Sequence, residues 1–313
     1  MRLIFMGTPT FVVPVLDRLY SQLNVEVVGV YTPPDRPGVR GRAPEMPPVK
    51  GRALELGLIV FQPPSLRSAQ VQEELTNLQP DVIVVAAYGR FLPTPVLDIP
   101  KNGCLNIHPS LLPKYRGPSP VVTAILDGEM ITGVTLMLLD PGMDTGPLIA
   151  QRQYDIASPQ NADSLTALLF DVGADLLLDN LDPWVNGELA AQPQDPSLAT
   201  VTSKVERADG KANWGDSAMI LARKQRAYTP WPGLFTYLNG QVLKLLEVVP
   251  LPATAGSDVE PGMVISLMGE EAPIGVGTND GVLGLKTVQL EGRRAIATQE
   301  FLRGNPDFIN ARL

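Results

Sequence analysis

At 313 residues the chain is about twice the commonest domain size, so two domains are expected rather than one. Hydrophobic residues make up 44% and charged residues 19%, enough for a substantial core, and no apolar run approaches the ~20 residues that span a bilayer. The net charge of −8 excludes a broadly basic nucleic-acid binder, and a single cysteine, Cys104, excludes an internal disulfide. Cys104 lies in an apolar stretch and reads as a buried inert thiol. The opening segment, Met1 to Gly7, is too quickly broken for a secretory signal, and a cytoplasmic protein is expected.

The first ~150 residues alternate short apolar runs with helical patterns, the signature of a parallel α/β sheet. Strands are expected over 2–6, 25–31, 59–61, 81–87, 103–107 and 133–139, and helices over 10–23, 49–56, 69–78 and 120–127. Near-continuous apolar strands such as 82–87 suit a sheet covered on both faces. An edge strand over 148–156 and a long amphipathic helix over 161–181 close the domain. The expected fold is α/β, a Rossmann-like doubly wound, mostly parallel sheet.

From 184 to 202 the composition shifts to Pro, Gln, Asn and Ala with weak periodicity, which reads as a linker. Beyond it a helix over 217–226 precedes short strands separated by turn signals, of which Asn239-Gly240 is the strongest. A small C-terminal OB-like β-barrel is expected. The division is therefore a catalytic domain over 1–185, a linker over 186–205 and a β-barrel over 206–313.

Within the acidic first part, the segment from Asp35 to Arg52 runs the other way, with Arg36, Arg40, Arg42, Lys50 and Arg52 against Asp35 and Glu45. It reads as a solvated loop or as a phosphate contact. Gly7-Thr8-Pro9 after the first strand lacks the G-x-G-x-x-G pattern of a dinucleotide site. No His/Cys cluster has metal-ligand spacing, so no metal is expected.

The most informative block runs from Gly103 to Gly117. Asn106 and His108, the only histidine, are two apart, so on a strand they point to one side. Pro109 ends that strand and leaves both groups at its carboxyl end, where open α/β sheets bind ligands. The next strand runs into the polar loop Asp140-Pro-Gly-Met-Asp144-Thr-Gly146. If neighbouring parallel strands carry both loops, Asp144 or Asp140 comes near His108; the spacing does not choose between them. Taken singly, each residue also reads as structural: a histidine at a strand end, an asparagine satisfying backbone groups, an aspartate in a turn. Together they suit acyl transfer. An Asn amide and an imidazolium supply donors to a tetrahedral oxyanion, and a carboxylate favours the charged ring and takes up the attacking amine's proton through water.

Asn106-Ile-His108, Ser110-Leu111-Leu112-Pro113, Tyr115-Arg-Gly117 and the Asp140–Gly146 loop together resemble the signature of the folate-dependent formyltransferase family. The resemblance implies Asn106, His108 and Asp144 as the catalytic trio and favours Asp144 over Asp140. It implies 10-formyltetrahydrofolate as the formyl donor, with Ser110, Leu111, Leu112 and Pro113 lining the folate site. It also implies Tyr88, Gly89, Arg90, Phe91 and Leu92 as a pterin-pocket segment.

Phe5–Phe11, Pro34–Pro37, Arg226–Gly233 and Asp280–Leu283 resemble the tRNA-directed branch of that family. That branch formylates the amino group of methionyl initiator tRNA for translation initiation. It implies Arg36, Arg40 and Arg42 in a loop that meets the tRNA acceptor end, although Ala43-Pro-Glu45 stands where further lysines often follow. Phe11 reads either as a contact to the methionine side chain or as a core aromatic. The implied partners are charged initiator tRNA, with the β-barrel as its platform, and folate; no membrane partner is expected, and the chain is expected to be a monomer.

Overall fold

Runs such as Leu3–Met6 and Val82–Ala86 are apolar at every position, and each of these residues is buried, as strands covered on both faces require. The computed structural model describes residues 1–38, 44–157, 159–252, 259–267 and 272–313. It divides into two units: Met1–Pro120, Met130–Ile156 and Leu165–Ser203 in the first, and Val121–Glu129, Ala157–Ser164 and Lys204–Leu313 in the second.

In chain order the elements up to residue 185 are β1 (Arg2–Gly7), α1 (Val13–Tyr20), β2 (Glu26–Tyr31), α2 (Pro48–Glu55), β3 (Val60–Phe61), α3 (Ala69–Asn77) and β4 (Val82–Ala86). Then follow α4 (Thr94–Leu97), β5 (Cys104–His108), α5 (Pro120–Asp127), β6 (Ile131–Leu138), β7 (Leu148–Asp155) and α6 (Ala162–Val185). The seven-stranded sheet has the order β3-β2-β1-β4-β5-β6-β7. The first five strands are parallel, whereas β6 pairs antiparallel with β5 and β7 antiparallel with β6. The sheet is mostly parallel, as expected. The parallel neighbour proposed for the Asp140–Gly146 loop is not what the chain forms, because His108 pairs with Thr135 and Leu105 with Leu138. The cause lies in the connection. Residues 109–119 stay at the end of β5, and α5, at eight residues or roughly 12 Å, does not carry the chain back to the start of a parallel strand.

Helix α6 lies against β5 through a glycine. A Cβ at Gly173 would stand 2.5 Å from Ile107 Cγ2 and 3.1 Å from Val134 Cγ1, so only a residue without one allows this approach. The short helix α4, confined between Pro93 and Pro100, had no periodic signal in the sequence.

The second unit carries α7 (Ala218–Ala227), β8 (Phe235–Leu238), β9 (Gln241–Leu251), β10 (Val264–Ser266), β11 (Ile274–Gly277), β12 (Val282–Leu290), β13 (Ile296–Ala297) and α8 (Thr298–Gly304). Its six-stranded antiparallel sheet has the order β10-β11-β12-β9-β8, with β13 on β12. The expected hairpin joins β8 to β9, with Asn239 at φ 50° and Gly240 at φ 80°, the left-handed pair that a two-residue turn demands. Leu221, Leu243, Leu245, Ile274, Val276, Leu283, Leu285, Phe301 and Phe308 belong to its core. Among the described residues no helix is long and apolar enough to cross a membrane.

Candidate active site

In the order β3-β2-β1-β4-β5 the direction of winding reverses between β1 and β4, and a crevice opens beyond the carboxyl ends at such a reversal. The strand ends there are tied together, since Thr8 Oγ1, after β1, donates to the Tyr88 carbonyl after β4 at 2.8 Å. On β5 the pleat divides the residues. Ile107 faces α6 through Gly173, so Asn106 and His108 face the other way. Asn106 is half-buried, and among the described residues no hydrogen bond engages its side-chain amide.

His108 is 5% exposed, bonded at one nitrogen and facing a carboxylate at the other. Its Nε2 lies 3.0 Å from the Tyr115 carbonyl oxygen. That oxygen only accepts, so Nε2 carries the hydrogen and donates it. Nδ1 lies 3.7 Å from Asp144 Oδ2, an ion-pair separation too long for a hydrogen bond. The same Asp144 oxygen accepts from Gly117 N at 2.8 Å. Asp144 has φ 54°, a left-handed conformation that aspartate tolerates better than most residues. Asp140 is turned inward, where its Oδ1 accepts from Gly142 N at 3.0 Å and from Thr145 Oγ1 at 2.7 Å. Of the two aspartates the spacing left open, Asp144 meets the ring and Asp140 closes the loop.

The Ser110–Pro113 turn is pinned to the sheet by Thr135. The Thr135 hydroxyl, wholly buried, donates to the Ser110 carbonyl at 2.7 Å and accepts from Leu112 N at 3.1 Å and Gln151 Nε2 at 2.9 Å. Gln151 Nε2 also donates to the Leu112 carbonyl at 2.8 Å, and Ser110 Oγ donates to the Lys114 carbonyl at 2.7 Å. After β4, Tyr88 and Leu92 are buried, Gly89 has φ 77°, and Phe91 is 59% exposed. Arg90 donates to the Pro63 and Pro64 carbonyls. The Tyr88 hydroxyl is buried without a partner among the described residues, and burial raises its pKa. Burial likewise pushes the Cys104 thiol up to about 12, which leaves it unreactive. Among the described residues no group of His, Cys, Asp and Glu is placed to hold a metal ion.

The sequence-predicted residues farther out are less concentrated. Phe11 packs against Phe170 of α6 with ring centroids 5.0 Å apart and is only partly buried. Arg36 is exposed, and its backbone bridges to Glu45 in both directions at 3.0 Å. Arg40 and Arg42 lie outside the described residues. Lys50 does not face solvent: its Nζ donates to both Asp35 oxygens at 2.9 and 2.7 Å and to Gln62 Oε1 at 2.6 Å. The Lys50 bonds, with that from Gln62 Nε2 to Asp35 Oδ1 at 2.9 Å, hold the Asp35 carboxyl below the usual carboxylate range.

Three residues at the site carried no sequence signal, and the Tyr115-Arg-Gly117 motif did not report that Tyr115 acts through its carbonyl. Gln194, Thr200 and Thr202 lie in the Pro- and Gln-rich stretch read as a linker. They hydrogen-bond to the Tyr115–Ser119 segment and, through Gln194, to the Asp144 loop.

Residues 1–181 match the family model described as "Formyl transferase", and residues 204–306 match that of "Formyl transferase, C-terminal domain". The chain is 47% identical over 304 residues to the methionyl-tRNA formyltransferase of Chloroflexus aurantiacus, covering 97% of each. It is 45% identical to that of Roseiflexus castenholzii, covering 97% of this chain and 96% of the relative. Among solved structures, an N-formyltransferase from Helicobacter canadensis in complex with folinic acid and dTDP-3-aminofucose superposes with a TM-score of 0.66 at 19% identity, over 94% of this chain and 99% of that one. HypX from Aquifex aeolicus in complex with tetrahydrofolic acid gives 0.61 at 21% identity, over 96% of this chain and 47% of that one. At those identities the likeness is one of fold.

Proposed function

We propose that this chain, which belongs to the formyl transferase family and within it to the methionyl-tRNA formyltransferases, transfers a formyl group from 10-formyltetrahydrofolate to the amino group of methionyl initiator tRNA. The observation that carries the chemistry is His108, buried and bonded at Nε2, with its Nδ1 facing Asp144 and Asn106 beside it on the same strand face. The acceptor is assigned from whole-length likeness to the curated relatives.

The amine attacks the formyl carbon directly. As the new C–N bond forms, the carbonyl oxygen takes negative charge, and the open Asn106 amide donates to it; His108, whose Nε2 hydrogen is engaged by the Tyr115 carbonyl, is the second donor once it carries a proton at Nδ1. Asp144 stabilises that charge. The proton lost by the amine passes to the Asp144–His108 pair and on to the folate nitrogen as its bond to the formyl carbon breaks. No covalent enzyme intermediate is required. Ser110–Pro113 and Tyr88–Leu92 line the folate side of the crevice. The support is their position at the ends of β5 and β4, where main-chain donors and acceptors and buried apolar side chains are available to a planar ring.

For the acceptor tRNA, Arg36, Arg40 and Arg42 form the contact loop and Phe11 adjoins the methionine side chain. The catalytic role falls to the first unit, in which Leu165–Ser203 takes in most of the 186–205 stretch read as a linker, and Lys204–Leu313 of the second unit is the tRNA platform. Of the basic residues Arg223, Lys224, Arg226, Lys244, Arg293 and Arg294 on that platform, Lys224 is paired with Asp216 at 2.6 Å, Arg294 with Glu300 at 3.0 Å, and Arg226 is half-buried against the Gln160 carbonyl, so the exposed Lys244 and Arg293 are the better-placed phosphate contacts. Asn106, His108 and Asp144 come from one unit of one chain, which supports a monomer, and the translation substrate supports a cytoplasmic location.

The test supplies 10-formyltetrahydrofolate with charged initiator tRNA, and separately with glycinamide ribonucleotide and an amino-sugar nucleotide. Formylation of the tRNA alone is expected; formylation of a small amine but not the tRNA overturns the assignment.

A further inference from the structure

The two groups that fix the His108 ring come from loops rather than from the sheet. Tyr115, whose carbonyl accepts from Nε2, has φ 61°, and Asp144, which faces Nδ1, has φ 54°. Asp144 tolerates the left-handed region, but a bulky residue such as Tyr115 holds it only where the surroundings favour it. Both loops are bonded to a third segment, distant in sequence.

Gln194 uses the full capacity of its side-chain amide. Its Nε2 donates to the Asp144 carbonyl at 2.9 Å and the Gly146 carbonyl at 2.7 Å, while its Oε1 accepts from Arg116 Nε at 3.0 Å and Nη2 at 2.7 Å. One side chain thus joins the Asp144 loop to the residue that follows Tyr115. Six residues on, Thr200 accepts at Oγ1 from Tyr115 N at 2.8 Å and at its carbonyl from Arg116 N at 2.9 Å, and its own N donates to the Pro113 carbonyl at 3.3 Å. Thr202 closes the ladder. Its N and its Oγ1 donate to the Arg116 carbonyl at 2.8 and 3.0 Å, and Oγ1 accepts from Ser119 N at 3.1 Å. The two loops also meet directly, since Gly117 N donates to Asp144 Oδ2, and a Cβ on Gly117 would press on the Thr202 carbonyl at 3.0 Å.

We infer that residues 194–202 are a positioning strap for the reacting groups, with Gln194 the residue that sets the Asp144 loop against the Tyr115 carbonyl and so fixes the His108 ring between them. The inference rests on the reading of His108 and Asp144 given above. Gln194 touches no reacting atom and acts through its neighbours. Displacing a catalytic group by about 1 Å costs on the order of 100-fold in rate. A strap that positions should therefore show in kcat and leave substrate affinity alone.

The experiment compares Gln194→Ala, Gln194→Glu and Thr200→Val with Asp144→Asn and His108→Ala in the full chain, measuring kcat, KM for both substrates and the melting temperature. Gln194→Ala is expected to lower kcat roughly 10- to 100-fold with both KM values within about 2-fold. Gln194→Glu keeps the acceptor for Arg116 but sets a carboxylate oxygen against two carbonyls, and should lose as much kcat. Thr200→Val removes the bond to Tyr115 N and should follow. Unchanged kcat with a lowered melting temperature in all three overturns the inference and leaves a structural brace. Raised KM at unchanged kcat overturns it too, because 194–202 would then bind substrate. If Asp144→Asn and His108→Ala keep full turnover, it is the reading of the site that fails.

Discussion

Replacing Asp144 by Asn removes the charge beside His108 while leaving the loop intact. Asparagine tolerates φ 54°, and its carbonyl oxygen can still accept from Gly117 N, so the 2.8 Å contact is preserved. What is lost is the attraction across 3.7 Å between the carboxylate and a ring that is charged in the transition state. At an effective dielectric near 20 that attraction is about 4 kcal/mol. The asparagine dipole and relaxation of the site return part of it, and a net loss of about 3 kcal/mol corresponds to a kcat lowered roughly 100-fold. Formylation of methionyl-tRNA, followed under saturating concentrations of both substrates, reads the loss directly, and the melting curve should hardly move. A kcat within about 3-fold of the parent would refute the reasoning, because it would mean that the charge on Asp144 takes no part.

Three further outcomes follow from packing and titration. Gly173→Ala gains about 1 kcal/mol of helix propensity but forces a methyl to 2.5 Å from Ile107, and a net destabilisation of about 1–2 kcal/mol is expected by urea unfolding; a stabilised variant would show that α6 is free to shift. Cys104, with its thiol pushed up to about 12 by burial, should resist a thiol reagent in the native protein at pH 8 and react fully in denaturant; rapid native labelling would contradict its burial. The Asp35 carboxyl is lowered by Lys50 and Gln62, so its stabilising contribution is complete above the ordinary carboxylate value near ~4 and is lost as the pH falls through the lower folded value. Titration by NMR should find Asp35 below that ordinary value and, in Lys50→Met, returned toward it; an unchanged titration in the variant would remove Lys50 as the cause.

Those residues also show where the sequence was readable. Strands buried on both faces declare themselves by continuous apolar composition, so β1 and β4 were within reach, and Pro109 marked the strand end that carries Asn106 and His108. Asn239-Gly240 announced its hairpin because only a few residue types adopt two successive left-handed conformations. Strand direction was not readable, since the pleat period is the same for parallel and antiparallel neighbours. The partners of His108 were hidden for another reason. A backbone carbonyl at Tyr115 has no side-chain signature, and Gln194, Thr200 and Thr202 lie in an aperiodic stretch whose composition is that of a loop, because its hydrogen bonds run to a distant segment rather than along a helix or strand.

The antiparallel course of β6 changes what brings Asp144 to the ring. β6 ends with Leu138 beside Leu105, roughly 10 Å along β5 from His108 at 3.3 Å per residue, so the loop must fold back over the sheet face to return. The return depends on a tight closure at its base. Asp140 is bonded to Gly142 and Thr145, and Gly146 lies so close to the Leu138 carbonyl that a Cβ would stand 1.9 Å from that oxygen. The obstacle is backbone and cannot rotate away. Gly146→Ala must therefore displace the loop, together with the Gln194 contact to the Gly146 carbonyl. A kcat lowered at least ~10-fold is expected with the two sheets still folded, as judged by circular dichroism and a single cooperative melt. If kcat were unchanged, the loop would be reaching His108 by a path that does not need this closure, and the geometry of the base would be irrelevant to the chemistry.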